Sequence, residues 1–181
     1  MLTGERIALR RLQAGDGELW VEWFGDPELN AILSSGNGVP AAPEGMREAV
    51  AHLAEDSISR VDFTVVRLDG TPIGAAHLAD IDPWARYAEF GMFVGPPADR
   101  GHGVGKEIAR LSVDFAFREL NLHKVWITID VDNVASIRFC EKVGFHHDGV
   151  LRDHVFKGGR YVDRVLMSIL RTEWPGLPAE S

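Results

Sequence analysis

Arg100-Gly101-His102-Gly103-Val104-Gly105-Lys106 sets three glycines between two cations, where a strand ends and a helix begins. Glycines let a backbone approach a ligand closely, and a helix N-terminus offers unpaired N–H groups and positive dipole charge to an anion. A phosphate or pyrophosphate is the natural ligand, and Arg100 and Lys106 would add charge-assisted contacts. The spacing rules out two familiar phosphate loops. A P-loop needs a glycine five positions before Gly105 and a hydroxyl after its lysine. Those positions hold Arg100 and Glu107. A dinucleotide fingerprint needs its third glycine one residue later, within a βαβ repeat that this chain lacks.

A second block follows at Asn133-Val134-Ala135-Ser136-Ile137-Arg138-Phe139-Cys140-Glu141-Lys142-Val143-Gly144-Phe145. With the first loop it resembles the GNAT superfamily of N-acetyltransferases. That family has an acyl-CoA pyrophosphate loop of the form Arg/Gln-x-x-Gly-x-Gly/Ala and a downstream Asn-x-x-Ala/Ser-Ile-x-x-Tyr-Glu-Lys-x-Gly-Phe. The resemblance runs from about Arg6 to Leu170. It is closest to the ribosomal-protein N-terminal and spermidine acetyltransferases, on Tyr87-Ala88-Glu89-Phe90, the run Phe115 to Leu122 and the run Arg160 to Met167.

The resemblance implies acetyl-CoA as cosubstrate and direct attack of a primary amine on its thioester. It assigns Arg100, Gly101, His102, Gly103, Val104, Gly105 and Lys106 to the pyrophosphate. It lays the pantetheine arm along Met92, Phe93 and Val94, where a splayed strand would expose N–H groups to the thioester oxygen. Asn133 and Ser136 would bond the pantetheine amides, or serve as helix N-caps. Glu89 is the candidate general base, through water; its alternative is a strand-surface carboxylate. Cys140 stands where the family has its proton-donating tyrosine. Its thiol could protonate the leaving thiolate, but buried cysteine more often packs as a small hydrophobe, and packing is the favoured reading.

Period and turn signals supply the elements that position these groups. Strands are expected at Arg6–Arg10, around Val61–Val65, at Ala75–Ile81, Tyr87–Val94 and Lys124–Asp130, and on either side of Lys157-Gly158-Gly159-Arg160, with Asp69-Gly70 as a hairpin turn. Helices are expected at Asp16–Phe24, Glu44–Asp56, Val104–Glu119 and Ala135–Lys142, the last ending at a left-handed Gly144. A loop is expected over Ser34–Pro43. The order predicts a mixed α/β domain with helices on a central, mostly antiparallel sheet, and the resemblance implies that this is the GNAT fold, with about seven strands flanked by about four helices. Residues 1–173 form the domain, and residues 174–181 form a short tail that frays.

The 181 residues suffice for one ordinary domain. No stretch approaches the ~20 apolar residues of a membrane span. Cys140 is the single cysteine, so no internal disulfide forms, and a cytoplasmic setting is expected. The net charge of −8 disfavours nucleic acid and suits a cationic amine. The acceptor groove is expected from the N-terminal helices and the Ser34–Pro43 loop, a region that carries Glu22, Asp26, Glu28, Glu44, Glu48, Glu55 and Asp56. The acceptor could be a polyamine, an amino sugar or antibiotic, or a protein N-terminus, and a homodimer is left open. His123, His146, His147 and His154 show no ligand-like spacing, and no metal is expected. Two other classes compete. One is a non-catalytic acyl-CoA-binding sensor, favoured by the missing tyrosine alone. The other is a nucleotide-binding module, opposed by the loop spacing.

Overall fold

The computed structural model describes residues 1–33 and 42–177. Most of the expected Ser34–Pro43 loop lies outside them. The strands are β1 (Leu2–Thr3), β2 (Ile7–Arg11), β3 (Val61–Arg67), β4 (Pro72–Asp82), β5 (Tyr87–Val94), β6 (Lys124–Asp130), β7 (His146–Lys157) and β8 (Arg160–Leu170). The helices are α1 (Gly17–Phe24), α2 (Pro27–Leu33), α3 (Pro43–Leu53), α4 (Val104–Arg118) and α5 (Val134–Val143). The eight strands and five helices exceed the expected seven and four by β1 and α2. Both are short: β1 has two residues and α2 has seven, too few to show a period.

The strands form one sheet in the order β1-β2-β3-β4-β5-β6-β8-β7. Every pairing is antiparallel except β5 with β6. A parallel neighbour requires a long crossover, here made by α4. Parallel pairing covers only Tyr87–Lys124, Ala88–Val125 and Glu89–Trp126. Beyond Glu89 the two strands part, though β5 stays paired to β4 and β6 to β8 along their lengths.

Alternation along the strands divides the sheet into two faces. One carries Leu9, Val65, Leu78, Phe90, Val125, Ile129, Met167 and Ile169, all buried in a core with Ile108, Leu111 and Phe117 of α4. Cys140 and Val143 of α5 join that core. On the other face the register aligns Asp62, His77 and Gly91 across three strands, and Ala79, Glu89 and Trp126 across the next set. Trp174 is not frayed: its indole N–H donates to Asp114 at 3.1 Å, and its ring lies under the Arg110 guanidinium.

Asp16, just before α1, ties the N-terminal helices to the polar face. Its buried carboxylate accepts two hydrogen bonds from the Arg10 guanidinium, at 2.6 and 2.8 Å, and one from the Thr64 hydroxyl at 2.6 Å. Burial opposes its ionisation, but these bonds and the Gln13 N–H outweigh burial and hold its carboxyl below the usual value. Asp16→Ala leaves a half-buried guanidinium without its partner. Urea unfolding should show a loss on the order of 2–3 kcal/mol, and Asp16→Asn a smaller loss.

Candidate active site

The gap between β5 and β6 opens into a cleft of about 410 Å³. Of the expected site residues, Met92, Phe93, Glu89, Asn133 and Ser136 line it together. The parting strands account for this gathering. Residues 90–94 of β5 lack a neighbour on the β6 side, so backbone polar groups along that edge are left for a ligand. Asn133 caps α5, its Oδ1 accepting the Ser136 N–H at 3.2 Å. The cap and cleft-lining readings of Asn133 therefore hold together.

The glycine-rich loop meets α4 as the sequence predicts. Gly101 and Gly103 have φ of +83° and +85°, and Gly103 is the N-cap. A β-carbon is strained there, which is the reason for glycine. The loop is exposed, and α4 runs 15 residues behind it. Gly105 brings α4 close to β5 and α5: a β-carbon there would lie 3.1 Å from Met92 and 3.4 Å from Phe139.

Arg100 has partners within the chain. Its guanidinium donates to the Val94 and Gly95 carbonyls and pairs with Asp26 at 2.6 Å and Glu28 at 3.5 Å. It braces the end of β5 against the α1–α2 turn, so Lys106 is the loop cation left exposed. The structure adds Arg6, whose guanidinium donates to the His102 carbonyl at 2.9 Å. Nothing in the sequence ties Arg6 to a loop 96 residues away.

Cys140 is 1% exposed and faces the core, not the cleft. Burial pushes its thiol up to about 12. Phe139 turns to Gly105 instead. The described residues place no tyrosine along the cleft.

The polar face supplies groups that sequence reasoning missed. Arg60, Asp62, His77, Thr128, Asp130 and Arg164 all line the cleft with Glu89. The His77 ring lies over Gly91, where any side chain would collide with it. Burial lowers His77 to about 4, with Arg60 contributing, so its imidazole is neutral at neutral pH. Glu89 is raised above the ordinary carboxylate value, first by burial and then by Asp80. Its carboxylate has no ion pair or hydrogen bond among the described residues. The alternation of polar residues on β3 and β4 was the available signal, but it fixes a face without naming what the face looks into.

Aromatic rings wall the opposite side. Phe93 meets Trp20, Trp23 and Phe24 of α1 edge-on, with centroids 5.1–5.8 Å apart. The buried indole N–H of Trp20 has no partner among the described residues. The N-terminal helices expected to form the acceptor groove supply Trp20, Phe24, Leu33 and Leu53 to the cleft. Most of the Ser34–Pro43 loop lies outside the described residues, and several carboxylates of that region have other partners. Asp26 and Glu28 pair with Arg100, Glu44 with Arg47, Asp56 with Arg11 and Glu55 with His52. None of these, nor Glu22 or Glu48, lines the cleft. Among the described residues no group of three His, Cys, Asp or Glu is arranged to hold a metal, and no helix is long and apolar enough to cross a membrane.

Residues 6–146 match the family model of the acetyltransferase (GNAT) domain. The chain is 31% identical over 173 residues to the uncharacterized SPbeta prophage-derived N-acetyltransferase YokL of Bacillus subtilis, covering 95% of this chain and 94% of YokL. It is 32% identical over 110 residues to the spermidine N(1)-acetyltransferase of Escherichia coli K12, covering 61% of this chain and 59% of that one. The structure of spermidine N-acetyltransferase from Vibrio cholerae in complex with CoA and spermine superposes with a TM-score of 0.83 at 25% identity, over 93% of this chain and 97% of that one. The chain belongs to the GNAT family and is an acetyl-CoA-dependent N-acetyltransferase.

Proposed function

We propose that the cleft transfers the acetyl group directly to a primary amine, with Glu89 as the general base acting through a water. One observation carries this reading. Glu89 is an unpaired, half-buried carboxylate at the last residue where β5 still pairs with β6, in the same cleft as Asn133 and Ser136. The thioester enters the gap from the side of α4 and α5, with its pyrophosphate at Gly101–Gly105 and charges from Lys106 and Arg6. The amine arrives on the polar face. Its nitrogen attacks the thioester carbonyl, its proton passes to Glu89, and the carbon–sulfur bond breaks. Backbone N–H groups on the open edge of β5 stabilise the developing oxyanion.

Cys140 takes no part in this step. A thiol near 12 is a weaker acid than an ordinary thiol by about 10³-fold, measured from a reference near ~8.5, so the thiolate takes its proton from water. The relatives named for spermidine support an amine acceptor, and the single cysteine fits a reducing, cytoplasmic setting.

Gly103→Asp should abolish the rise in melting temperature that acetyl-CoA gives the wild type by mass action. The new carboxylate repels pyrophosphate where the backbone must approach it. Wild-type CoA affinity in this variant would move the binding site elsewhere.

Glu89→Gln should lower the rate near neutral pH by about 10²-fold, with part recovered as rising pH frees the amine. Stability should move the other way. A raised carboxyl value means the fold favours protonated Glu89; that contribution is complete below the unfolded carboxyl value and lost as pH rises through the raised one. The glutamine variant should therefore be at least as stable as the wild type at pH 7, with the difference vanishing at acid pH. A less stable variant with an unchanged pH–rate profile would remove Glu89 from the chemistry.

Cys140→Ala should retain most of kcat and lose about 1 kcal/mol in denaturant titration. A hundredfold fall in kcat with fold and CoA affinity intact would restore the thiol as a proton donor.

A further inference from the structure

The charges on the acceptor side of the cleft are already arranged in pairs, and that arrangement bears on which amine fits. Arg60 grips Asp62 with two hydrogen bonds, Nε to Oδ2 at 2.7 Å and Nη2 to Oδ1 at 2.9 Å. Arg164 donates from Nε to Asp130 at 2.8 Å and from Nη1 to the Thr128 hydroxyl at 3.2 Å. Lys157 occupies the second oxygen of Asp130 at 3.0 Å. Burial opposes ionisation of Asp130, but Lys157 and Arg164 outweigh it and hold its carboxyl below the usual value. Both aspartates are therefore spent on cations. Glu89 is the one carboxylate lining the cleft, among the described residues, that has no such partner.

The two guanidiniums are not spent. Arg60 keeps Nη1, and Arg164 keeps Nη2, without a hydrogen-bond partner among the described residues. Both line the cleft and both act electrostatically on Glu89 from outside hydrogen-bonding contact. A polyamine presents several cations and no acceptor, so it would meet one free carboxylate and two guanidinium donors. A compound with an amine at one end and an oxyanion a few bonds away matches both.

We propose that the acceptor is an amino carboxylate, a primary amine carrying a carboxylate within a few bonds. Its amine lies toward Glu89, and its carboxylate takes the free donor of one of the two arginines, which are held by Asp62 on β3 and Asp130 on β6, on either side of Glu89. This rests on the amine-acetylating function proposed above. The arginine that does so is then the specificity-determining residue, and its aspartate, Asp62 or Asp130, holds its guanidinium in place. The charge-assisted bonds to the carboxylate are the strong ones, and a neutral carboxamide leaves the guanidinium donors poorly matched. The neutral His77 ring between Asp62 and Gly91 adds a polar wall without a further cation.

The test measures CoA release with acetyl-CoA and matched acceptors: L-amino acids, β-alanine and γ-aminobutyrate against their carboxamides, with spermidine as the polyamine. At least one carboxylate should exceed its own carboxamide in kcat/KM by about tenfold or more, the scale of a charge-assisted hydrogen bond, and should exceed spermidine. Arg60→Gln with Asp62→Asn, and Arg164→Gln with Asp130→Asn, keep each pair neutral and hydrogen-bonded. At least one of the two should bring that ratio toward one while acetyl-CoA still raises the melting temperature. The proposal fails if spermidine is the best acceptor, if carboxamides match carboxylates in the wild type, or if the ratio survives both paired swaps. Release of CoA to no amine at all, with acetyl-CoA still bound, would overturn instead the amine-transfer function on which the proposal rests.

Discussion

Parallel pairing of β5 with β6 stops at Glu89–Trp126, and every functional feature of this molecule is arranged around that stop. Each strand is held firmly on its outer side: β6 pairs with β8 at seven positions, and β5 continues along β4 to Val94. Their inner edges therefore separate without costing either strand its place in the sheet. The separation leaves backbone polar groups inside the protein with no partner, a condition that folded chains meet with water or a ligand. Here the helix that makes the parallel crossover also has its N-terminus beside the gap. Gly105 lets that helix approach Met92 and Phe139 closely enough to carry the glycine-rich loop to the edge of the opening.

The same divergence explains why the two faces of the sheet divide the work. One face is sealed by α4 and α5 around a continuous apolar core, so the gap opens on that side only where the α4 and α5 N-termini leave it, near the loop, Asn133 and Ser136. The other face is polar along four adjacent strands, through Asp62, His77, Glu89 and Asp130. Paired charges line that side at modest desolvation cost because each aspartate is met by a guanidinium. Glu89 lacks such a partner, and burial raises its carboxyl value. A base is more useful when its own value moves toward that of neutral solution, so the lack of a partner is what suits Glu89 to the role proposed for it.

The sequence was most legible where a single local rule governs. The left-handed C-terminal Gly144 and the α4 stripe of Ile108 and Leu111 came from spacing alone, and the structure has them in those places. The family likeness named Glu89, Met92, Phe93, Asn133 and Ser136, which do converge on one cleft. The motif names Arg100 but not its partners within the chain, Asp26 and Glu28 on the α1–α2 turn. The carboxylates of the N-terminal helices likewise have partners that their spacing does not reveal. Counting carboxylates along helices ignores the arginines that fold back onto them, as Arg47 and Arg11 do. Arg60, His77 and Arg164 were invisible because they meet only through sheet register, across strands far apart in the chain.

In the proposed mechanism, the site does without a proton donor at Cys140 while keeping a base at Glu89. An alkyl amine with a value near that of lysine, ~10.4, is neutral in only about one molecule in 10³ at neutral pH. Attack needs the neutral form, so a group that receives the amine's proton in the cleft acts on a barrier present at every turnover. The leaving group is different. A thiol with a value near ~8.5 is a stable enough anion to depart without a fixed acid and to take a proton from water afterwards. A buried cysteine at that point of α5 therefore gives up little chemistry and adds an apolar contact to the core beneath Phe90 and Phe145. Losing Glu89 would have no such substitute, because the described residues that line the cleft include no other unpaired carboxylate and His77 is buried well below the range of a neutral-pH base.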